Sequence, residues 1–296
     1  MEEKRKRKRG ERQALEKLKE DLRSAEKSPA TMEKYLRDAE RFLGYAKHRE
    51  AKECCITQET IISYKQHLKS EGYSPSSING MLAGVRAMLK SMGMDDIKVR
   101  NLRIQQQSFA SEEKMLTRSE YLRMVQTGKT DNSSQNGYLQ TTSLIMETIC
   151  STGIRVSELK YFTVEAVKED SISVWLKGKE RKILITGKLK KKLLEFAEKM
   201  DVREGAIFRN RHGKPIHRSQ IWQMMKRLCR LAGVDERKVF PHNLRKLFAR
   251  AFYNVKKDIA KLADVLGHSS INTTRRYIKT SAREHMQQMD RLRLVT

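Results

Sequence analysis

The stretch from Phe240 to Lys279 carries the side chains that most clearly distinguish this sequence. It contains three short blocks, FPHNLR at residues 240–245, LGH at 266–268 and TTRRY at 273–277. Pro241 suits the first position of an α-helix, because its missing N–H needs no partner there. His242 and Arg245 follow at a spacing that places them on one helix face, so both side chains could point at the same group.

The two later blocks add a second histidine and a tyrosine. Gly267 suits the end of the preceding helix, so His268 would emerge at a helix C-terminus, where the dipole favours a protonated ring. Tyr277 lies nine residues further on, directly after Arg275 and Arg276. We expect the charges of these two arginines to stabilise a phenolate and to attract anions.

The overall charge of the chain points to a polyanionic partner. Lys and Arg together number 62 and Asp and Glu 36, which gives a formal net charge of +26. Basic side chains that face phosphates release condensed counterions and steer association, so this composition favours nucleic acid as the partner. A basic surface that serves only solubility is the plainer alternative.

Cysteine and apolar patterns argue against several other classes of protein. The four cysteines form no CxxC pair and no cluster with histidine, so we expect neither a metal site nor a disulfide framework. No apolar run reaches the roughly 18–20 residues of a membrane span, and the N-terminus lacks the apolar core of a secretory signal. These patterns predict a soluble, cytoplasmic protein with no membrane partner.

Apolar periodicity predicts a small helical domain followed by a larger mixed one. Amphipathic patterns indicate three helices that begin near Ser28, Thr57 and Ser74. The predicted divisions are 1–27, a basic arm and helix-prone extension with few apolar residues; 28–102, an all-helical domain; 103–114, a polar linker; 115–282, a mixed, mostly helical domain; and 283–296, a C-terminal segment.

Two stretches of the second domain have the composition of β-strands. Residues 171–176 (SISVWL) and 181–186 (RKILIT) are rich in β-branched side chains and roughly alternate between polar and apolar. They flank a tight turn at 177–180 that carries Lys177 and Lys179. We therefore predict a mainly α fold (α+β) with one small antiparallel sheet.

Together these side chains could break a phosphodiester bond without a metal. Such a reaction needs a nucleophile, cations on the non-bridging oxygens and an acid for the departing oxygen. Arginine suits the oxygens because its fork is planar and always charged, and lysine or histidine suits proton transfer because its pKa can be tuned. Each residue also has a plainer interpretation as an ion pair, a helix cap or ordinary packing. Spacing alone indicates a nucleic-acid binder.

Four blocks, taken in their order and spacing, identify a family. They are TGIRVSEL at 152–159, the lysine of the strand turn, PHNLR at 241–245, and LGH at 266–268 running on to Thr274 and Tyr277. With these blocks the sequence resembles the tyrosine recombinase, or phage integrase, family, and its layout is most similar to Xer proteins and small mobile-element integrases. The resemblance covers residues 28–296. It implies a SAM-like core-binding domain at 28–102 and a catalytic domain at 115–282.

The resemblance implies a role for each residue of the predicted site. Tyr277 would attack phosphorus and form a 3′-phosphotyrosyl bond, which stores the bond energy, so that no ATP, metal or other cofactor is needed. The general acid would be Lys177, with Lys179 as the alternative because this turn is shorter than expected. The other implied roles are phosphate binding by Arg155 and Arg245, positioning or deprotonation of the attacking group by His242, transition-state support by His268, bracing by Glu158, and DNA contacts by Lys179, Arg181, Arg275 and Arg276.

The same resemblance implies the partners of the protein. They are duplex DNA with inverted-repeat core sites, three further copies of the chain in a synaptic tetramer that forms from monomers or dimers, and accessory DNA-bending proteins. Bound to DNA, the protein would associate with the nucleoid. Residues 283–296 would pack into a neighbouring protomer through Met286, Met289 and Leu292, with a helix folded back on its own domain as the alternative.

Several biological roles are compatible with this site. The strong charge and the basic arm favour integration and excision of a mobile element over Xer-type dimer resolution. A type IB-like topoisomerase shares the chemistry, but the N-terminal helical domain favours a recombinase. A DNA-binding regulator on the same fold is the non-enzymatic alternative, and a pure binder would need no nucleophile.

Overall fold

A computed structural model describes residues 2–49, 56–104, 112–130, 137–169, 171–176 and 179–292. The chain divides into two compact units, Met1–Gln106 and Gln107–Thr296. Most of the predicted linker at 103–114 lies outside the described residues, apart from its first two positions and a 3₁₀ turn at Glu112–Lys114. None of the helices in the described ranges is long and apolar enough to cross a membrane.

The first unit is built from helices. They are α1 (Glu2–Ser24), α2 (Pro29–Arg49), α3 (Gln58–Ser70) and α4 (Pro75–Ser91). The last three begin where the sequence predicted them. The Thr57 hydroxyl accepts a hydrogen bond from the Thr60 amide in a capping box, and Ser74 caps α4 with Pro75 in its first turn. These caps are local, which explains why the sequence alone located them.

Helix α1 corrects the prediction that packed structure begins at Ser28. Leu18 and Leu22 are buried in the same apolar core as α2, α3 and α4, and Ser91 of α4 donates a hydrogen bond to Asp21. Ala14, Leu18 and Leu22 recur every fourth residue and form one narrow apolar stripe on a highly charged helix. A stripe this narrow is easily overlooked in a sequence dominated by Lys, Arg and Glu.

We expect Leu18→Ala to lower the free energy of unfolding of this unit by about 3 kcal/mol, because it deletes a fully buried side chain and leaves a cavity. Urea unfolding of the whole chain, followed by circular dichroism, measures the change. The exposed Gln13→Ala on the same helix serves as the control and should leave stability unchanged. Equal stability of the two variants would mean that α1 does not belong to the folded core.

The second unit is mostly helical, with one β-hairpin in its described part. Its helices are α5 (Arg118–Thr130), α6 (Tyr138–Thr152), α7 (Val164–Lys168), α8 (Gly187–Lys199), α9 (Arg218–Leu231), α10 (Pro241–Lys256), α11 (Ile259–Leu266), α12 (Ile271–Arg275) and α13 (Ala282–Asp290), with 3₁₀ turns at Val156–Tyr161 and Glu236–Lys238. Helix α6 lies in the core and is buried on nearly all sides. It ends at Gly153, whose φ of +65° suits glycine.

The hairpin consists of β1 (Ser171–Leu176) and β2 (Lys179–Leu184), which pair antiparallel with Val174 opposite Arg181. The predicted sheet is confirmed, but β2 begins and ends two residues earlier than predicted. Pairing therefore continues to Leu176 and Lys179, so Lys179 and Glu180, which were predicted to lie in the turn, belong to the strand. At the other end, the Thr186 hydroxyl caps α8 and leaves the strand. Lys177 itself lies outside the described residues.

A second, smaller apolar cluster lies under the C-terminal helices. Ala249 of α10 and Leu262 and Leu266 of α11 form its buried centre, and the rings of Phe248 and Tyr277 pack against them. This cluster fixes Tyr277 to the end of α11. It thereby gives the tyrosine, which follows α12, a defined place relative to α10.

Candidate active site

Arg245 is the centre of the candidate site. Its side chain is 1% exposed and donates to the carbonyl oxygens of Gly153 and Leu266 and to His268 Nε2, at 2.7 Å from Leu266 O and 2.9 Å from Nε2. A guanidinium has five N–H donors, so three contacts leave two without a partner among the described residues, and the buried Nε–H is one of them. Unused donors on a buried cation suit a phosphate, which is an anionic acceptor.

His268 is neutral, which corrects the prediction of a protonated ring. Arginine can only donate hydrogen bonds, so His268 Nε2 accepts the one from Arg245 and the ring proton lies on Nδ1. Nδ1–H then donates to Thr274 Oγ1 over 2.9 Å. Burial, followed by the charges of Arg245 and Arg155, lowers the pKa of His268 to about 4. Burial and the nearby guanidinium groups together outweigh the helix dipole.

Tyr277 lies between the two histidines of the site. The ring centroids of His242 and His268 are each 5.0 Å from that of Tyr277, and the Arg245 guanidinium carbon lies 5.7 Å from it. Tyr277 is partly exposed, whereas Thr274, which holds His268, is fully buried. The tyrosine is therefore surrounded by three basic side chains and still accessible.

His242 also carries a lowered pKa. Burial contributes most, followed by the charges of Lys246, Arg245 and Arg155. An ordinary histidine pKa is already near 6.5, so a lowered value keeps the ring neutral at pH 7. A neutral imidazole beside a phenol can accept its proton.

Glu158 connects two further arginines to the site. This carboxylate is completely buried and accepts hydrogen bonds from the Arg155 backbone N–H at 2.8 Å, Arg155 Nη1 at 3.0 Å and Arg181 Nη1 at 2.7 Å. The Arg155 side chain remains 40% exposed, so part of its guanidinium is free to meet a ligand. Two guanidinium groups on one carboxylate leave a net positive charge, which attracts an anion.

The predicted residues divide into those that the fold brings together and those that it does not. Arg155, Glu158, His242, Arg245, His268 and Tyr277 converge on one site. Arg181 also lies there, with a side chain that is only 9% exposed and paired with Glu158, and its contact with DNA stays a prediction. Arg275 and Arg276 are exposed beside the tyrosine. Lys177 lies outside the described residues, and Lys179 is placed only by its backbone.

Two features of the site were missing from the sequence predictions. Thr274 holds the Nδ1 side of His268, and Lys246, one turn after His242, helps to lower the pKa of that histidine. The four-residue spacing of His242 and Lys246 on one helix could have indicated that Lys246 lies near His242. The hydrogen bond between Thr274 and His268 depends on the turn between α11 and α12, which spacing does not define. The described residues contain no group of three or more His, Cys, Asp or Glu side chains that could hold a metal ion.

Comparisons with known proteins cover both units of the chain. The model of the phage integrase family matches residues 114–284, and that of the phage integrase N-terminal SAM-like domain matches residues 15–92. Tyrosine recombinase XerD of Halalkalibacterium halodurans is 25% identical over 264 residues, which cover 83% of this chain and 86% of that protein. Tyrosine recombinase XerC of Thermodesulfovibrio yellowstonii is 29% identical over 265 residues, 84% and 85% of the two chains.

A solved structure supports the same fold. The crystal structure of the XerH site-specific recombinase bound to palindromic difH substrate, a post-cleavage complex, superposes with a TM-score of 0.71. The match covers 93% of this chain and 83% of that one, at 18% sequence identity. At this identity the likeness concerns the fold, including the order of its helices and hairpin.

Proposed function

Because the chain belongs to the phage integrase family of tyrosine recombinases, enzymes that cut and rejoin DNA strands, we propose that Tyr277 is its nucleophile in site-specific recombination of duplex DNA. The observation that carries this assignment is the environment of the tyrosine. Its ring is in contact with His242, His268 and Arg245, in a site with unused guanidinium donors. Ordinary packing would not need three basic groups around one phenol.

The site suggests how the reaction proceeds. The Tyr277 oxygen attacks phosphorus while neutral His242 accepts its proton, and Arg155 and Arg245 stabilise the charge that develops on the non-bridging oxygens. The phosphorus–oxygen bond to the 5′ side breaks and a 3′-phosphotyrosyl bond forms. A lysine of the hairpin protonates the departing 5′ oxygen. We assign this role to Lys177, with Lys179 as the alternative. Attack by a 5′-hydroxyl of another strand reverses these steps.

Neutral His268 acts through hydrogen bonds rather than through charge. Its Nδ1–H is held by Thr274, which leaves Nε2 to orient an Nη group of Arg245. In this role the histidine fixes the direction of the arginine fork toward the phosphate and contributes no proton near pH 7. The three contacts of Arg245 give the fork no freedom to rotate, which is the preorganisation that transition-state binding requires.

The proposed partners follow from the family and from the exposed surface. Duplex DNA is the substrate, with inverted-repeat core sites as the finer expectation, and the XerH recombinase was solved with a palindromic difH substrate. Met286 and Met289 of α13 and the following Leu292 are more than 60% exposed, which supports the exchange of this segment between protomers of a tetramer. The basic N-terminal stretch and the net charge of +26 favour a mobile-element integrase that accessory DNA-bending proteins assist.

We expect the protein to form covalent adducts with DNA in the presence of EDTA, because arginines and a lysine supply the charges and the proton that a metal would otherwise provide. Incubation with sheared DNA of the source organism, denaturation and sequencing of the attached DNA measure this. Adducts should accumulate at one inverted-repeat sequence, and added Mg²⁺ should leave their yield unchanged. A strict Mg²⁺ requirement would contradict the mechanism, and adducts scattered over many sequences would indicate a topoisomerase.

A further inference from the structure

Arg181 links three separate segments of the second unit. It lies in β2, two residues after the strand begins, and its Nη1 donates to Glu158 Oε2 over 2.7 Å. Its Nη2 donates to the carbonyl oxygen of Val265 over 2.8 Å. One side chain therefore joins the hairpin to the segment of Arg155 and Glu158 and to the end of α11, which immediately precedes His268.

The end of α11 receives a second arginine at the adjacent carbonyl. Arg245 donates to Leu266 O and Arg181 to Val265 O, so two guanidinium groups satisfy consecutive carbonyls that the helix leaves unpaired. Arg245 approaches from α10 and Arg181 from β2. This arrangement fixes the hairpin and α10 to the same short piece of backbone.

Gly267 allows this approach. A Cβ added at Gly267 would lie 2.3 Å from Cδ and 2.7 Å from Nε of Arg181, far inside van der Waals contact, and its φ of +62° also suits glycine. The aliphatic part of Arg181 therefore lies directly against the Gly267 backbone. The position excludes any other residue unless the arginine moves away.

We propose that Arg181 is a positioning residue that holds strand β2 against Glu158 and the end of α11, and that general acid catalysis, which the proposed function assigns to a lysine of this hairpin, depends on it. The inference rests on the proposed function and extends it to a side chain whose described hydrogen bonds go to Glu158 and Val265. Lys179 lies two residues before Arg181 on the same strand, so a shift of Arg181 displaces the backbone at Lys179 as well.

A substrate that needs no acid separates positioning of the lysine from other roles. Replacing the bridging 5′ oxygen with sulfur gives a thiolate leaving group, and a thiol loses its proton near pH 8.5, so the thiolate departs without protonation. We expect Arg181→Met to cleave normal DNA in single turnover about 100-fold more slowly than wild type, the usual loss of general acid catalysis. On the phosphorothiolate substrate its rate should return close to that of wild type.

Two controls and a second variant complete the test. Arg203→Met removes a positive charge from an exposed arginine that pairs with Asp201, two residues earlier, and should cleave both substrates normally. Arg245→Lys acts on the non-bridging oxygens and should not be rescued by sulfur. Arg181→Lys keeps the charge beside Glu158 but cannot reach both acceptors, so it should show the same slow cleavage and the same rescue by sulfur. It replaces Arg181→Met in the test if that variant folds poorly.

The outcomes distinguish this inference from the proposed function. Normal cleavage of unmodified DNA by Arg181→Met and Arg181→Lys would overturn the positioning role. Equal losses of cleavage rate on both substrates, in a variant that keeps the thermal unfolding midpoint of wild type, would also overturn it. Arg181 would then act by supporting Arg155 through Glu158. If wild type formed no adduct with either substrate, the proposed function itself would fail.

Discussion

Tyr277→Phe should abolish covalent attachment to DNA and leave DNA binding nearly unchanged. The substitution removes the attacking oxygen and keeps the ring, so the contacts with His242 and His268 and the packing on the small cluster under α10 and α11 are retained. Loss of a single hydroxyl contact changes affinity by about 1 kcal/mol at most. Denaturing gels detect the adduct, and fluorescence anisotropy with labelled site DNA measures binding.

A second tyrosine provides a matched control for this result. Tyr253 of α10 packs against the same cluster, and the cation over its ring is Lys257 rather than a side chain of the candidate site. Tyr253→Phe should therefore form adducts at the wild-type level. Adducts from Tyr277→Phe would assign the nucleophile to another residue, and a large loss of binding would mean that the phenol hydroxyl holds the fold or the DNA.

Arg245→Lys should lower the cleavage rate by about 100- to 1000-fold although the charge is retained. The guanidinium makes three contacts at once, with two backbone carbonyls and His268, and keeps two donors for the phosphate. A lysine ammonium is a compact point charge that cannot reproduce this planar fork. Single-turnover cleavage of a nicked site, which traps the phosphotyrosyl product, measures the loss.

The same substitution one turn and a half further along α10 tests whether the effect is specific. Arg250 donates to the carbonyl oxygen of Leu116 over 2.7 Å and lies outside the contacts around Tyr277. Arg250→Lys should cleave DNA at nearly the wild-type rate. Similar losses for Arg245→Lys and Arg250→Lys would point to a general weakening of α10 rather than to phosphate binding.

Local signals in the sequence predicted a large part of the fold. Thr57, Ser74 and Gly153 mark the ends of helices because caps and left-handed C-termini depend on a few neighbouring residues. The alternation of residues 171–176 predicted a strand for the same reason. The sequence indicated that this segment is helix-prone but did not predict that α1 packs, because its apolar stripe consists of few residues and only contact with α2 and α4 makes them a core.

The site shows the same division between local and distant causes. Tyr277, Arg245 and His242 could be identified from the sequence, because the type of a side chain fixes its chemistry and the spacing of residues defines a motif. The bracing role of Arg181 could not be predicted from the sequence, since Glu158 and Val265 are 23 and 84 residues away along the chain.

The sequence by itself determined which groups are available for the reaction. The tertiary structure decided their charge states and which of their hydrogen-bond donors remain unused. His268 illustrates the difference. Its position after Gly267 predicted a protonated ring from the local helix dipole, but folding buries it beside guanidinium groups from distant parts of the chain and lowers its pKa to about 4. Electrostatic energies depend on distance in space and on burial, and neither is defined until the chain has folded.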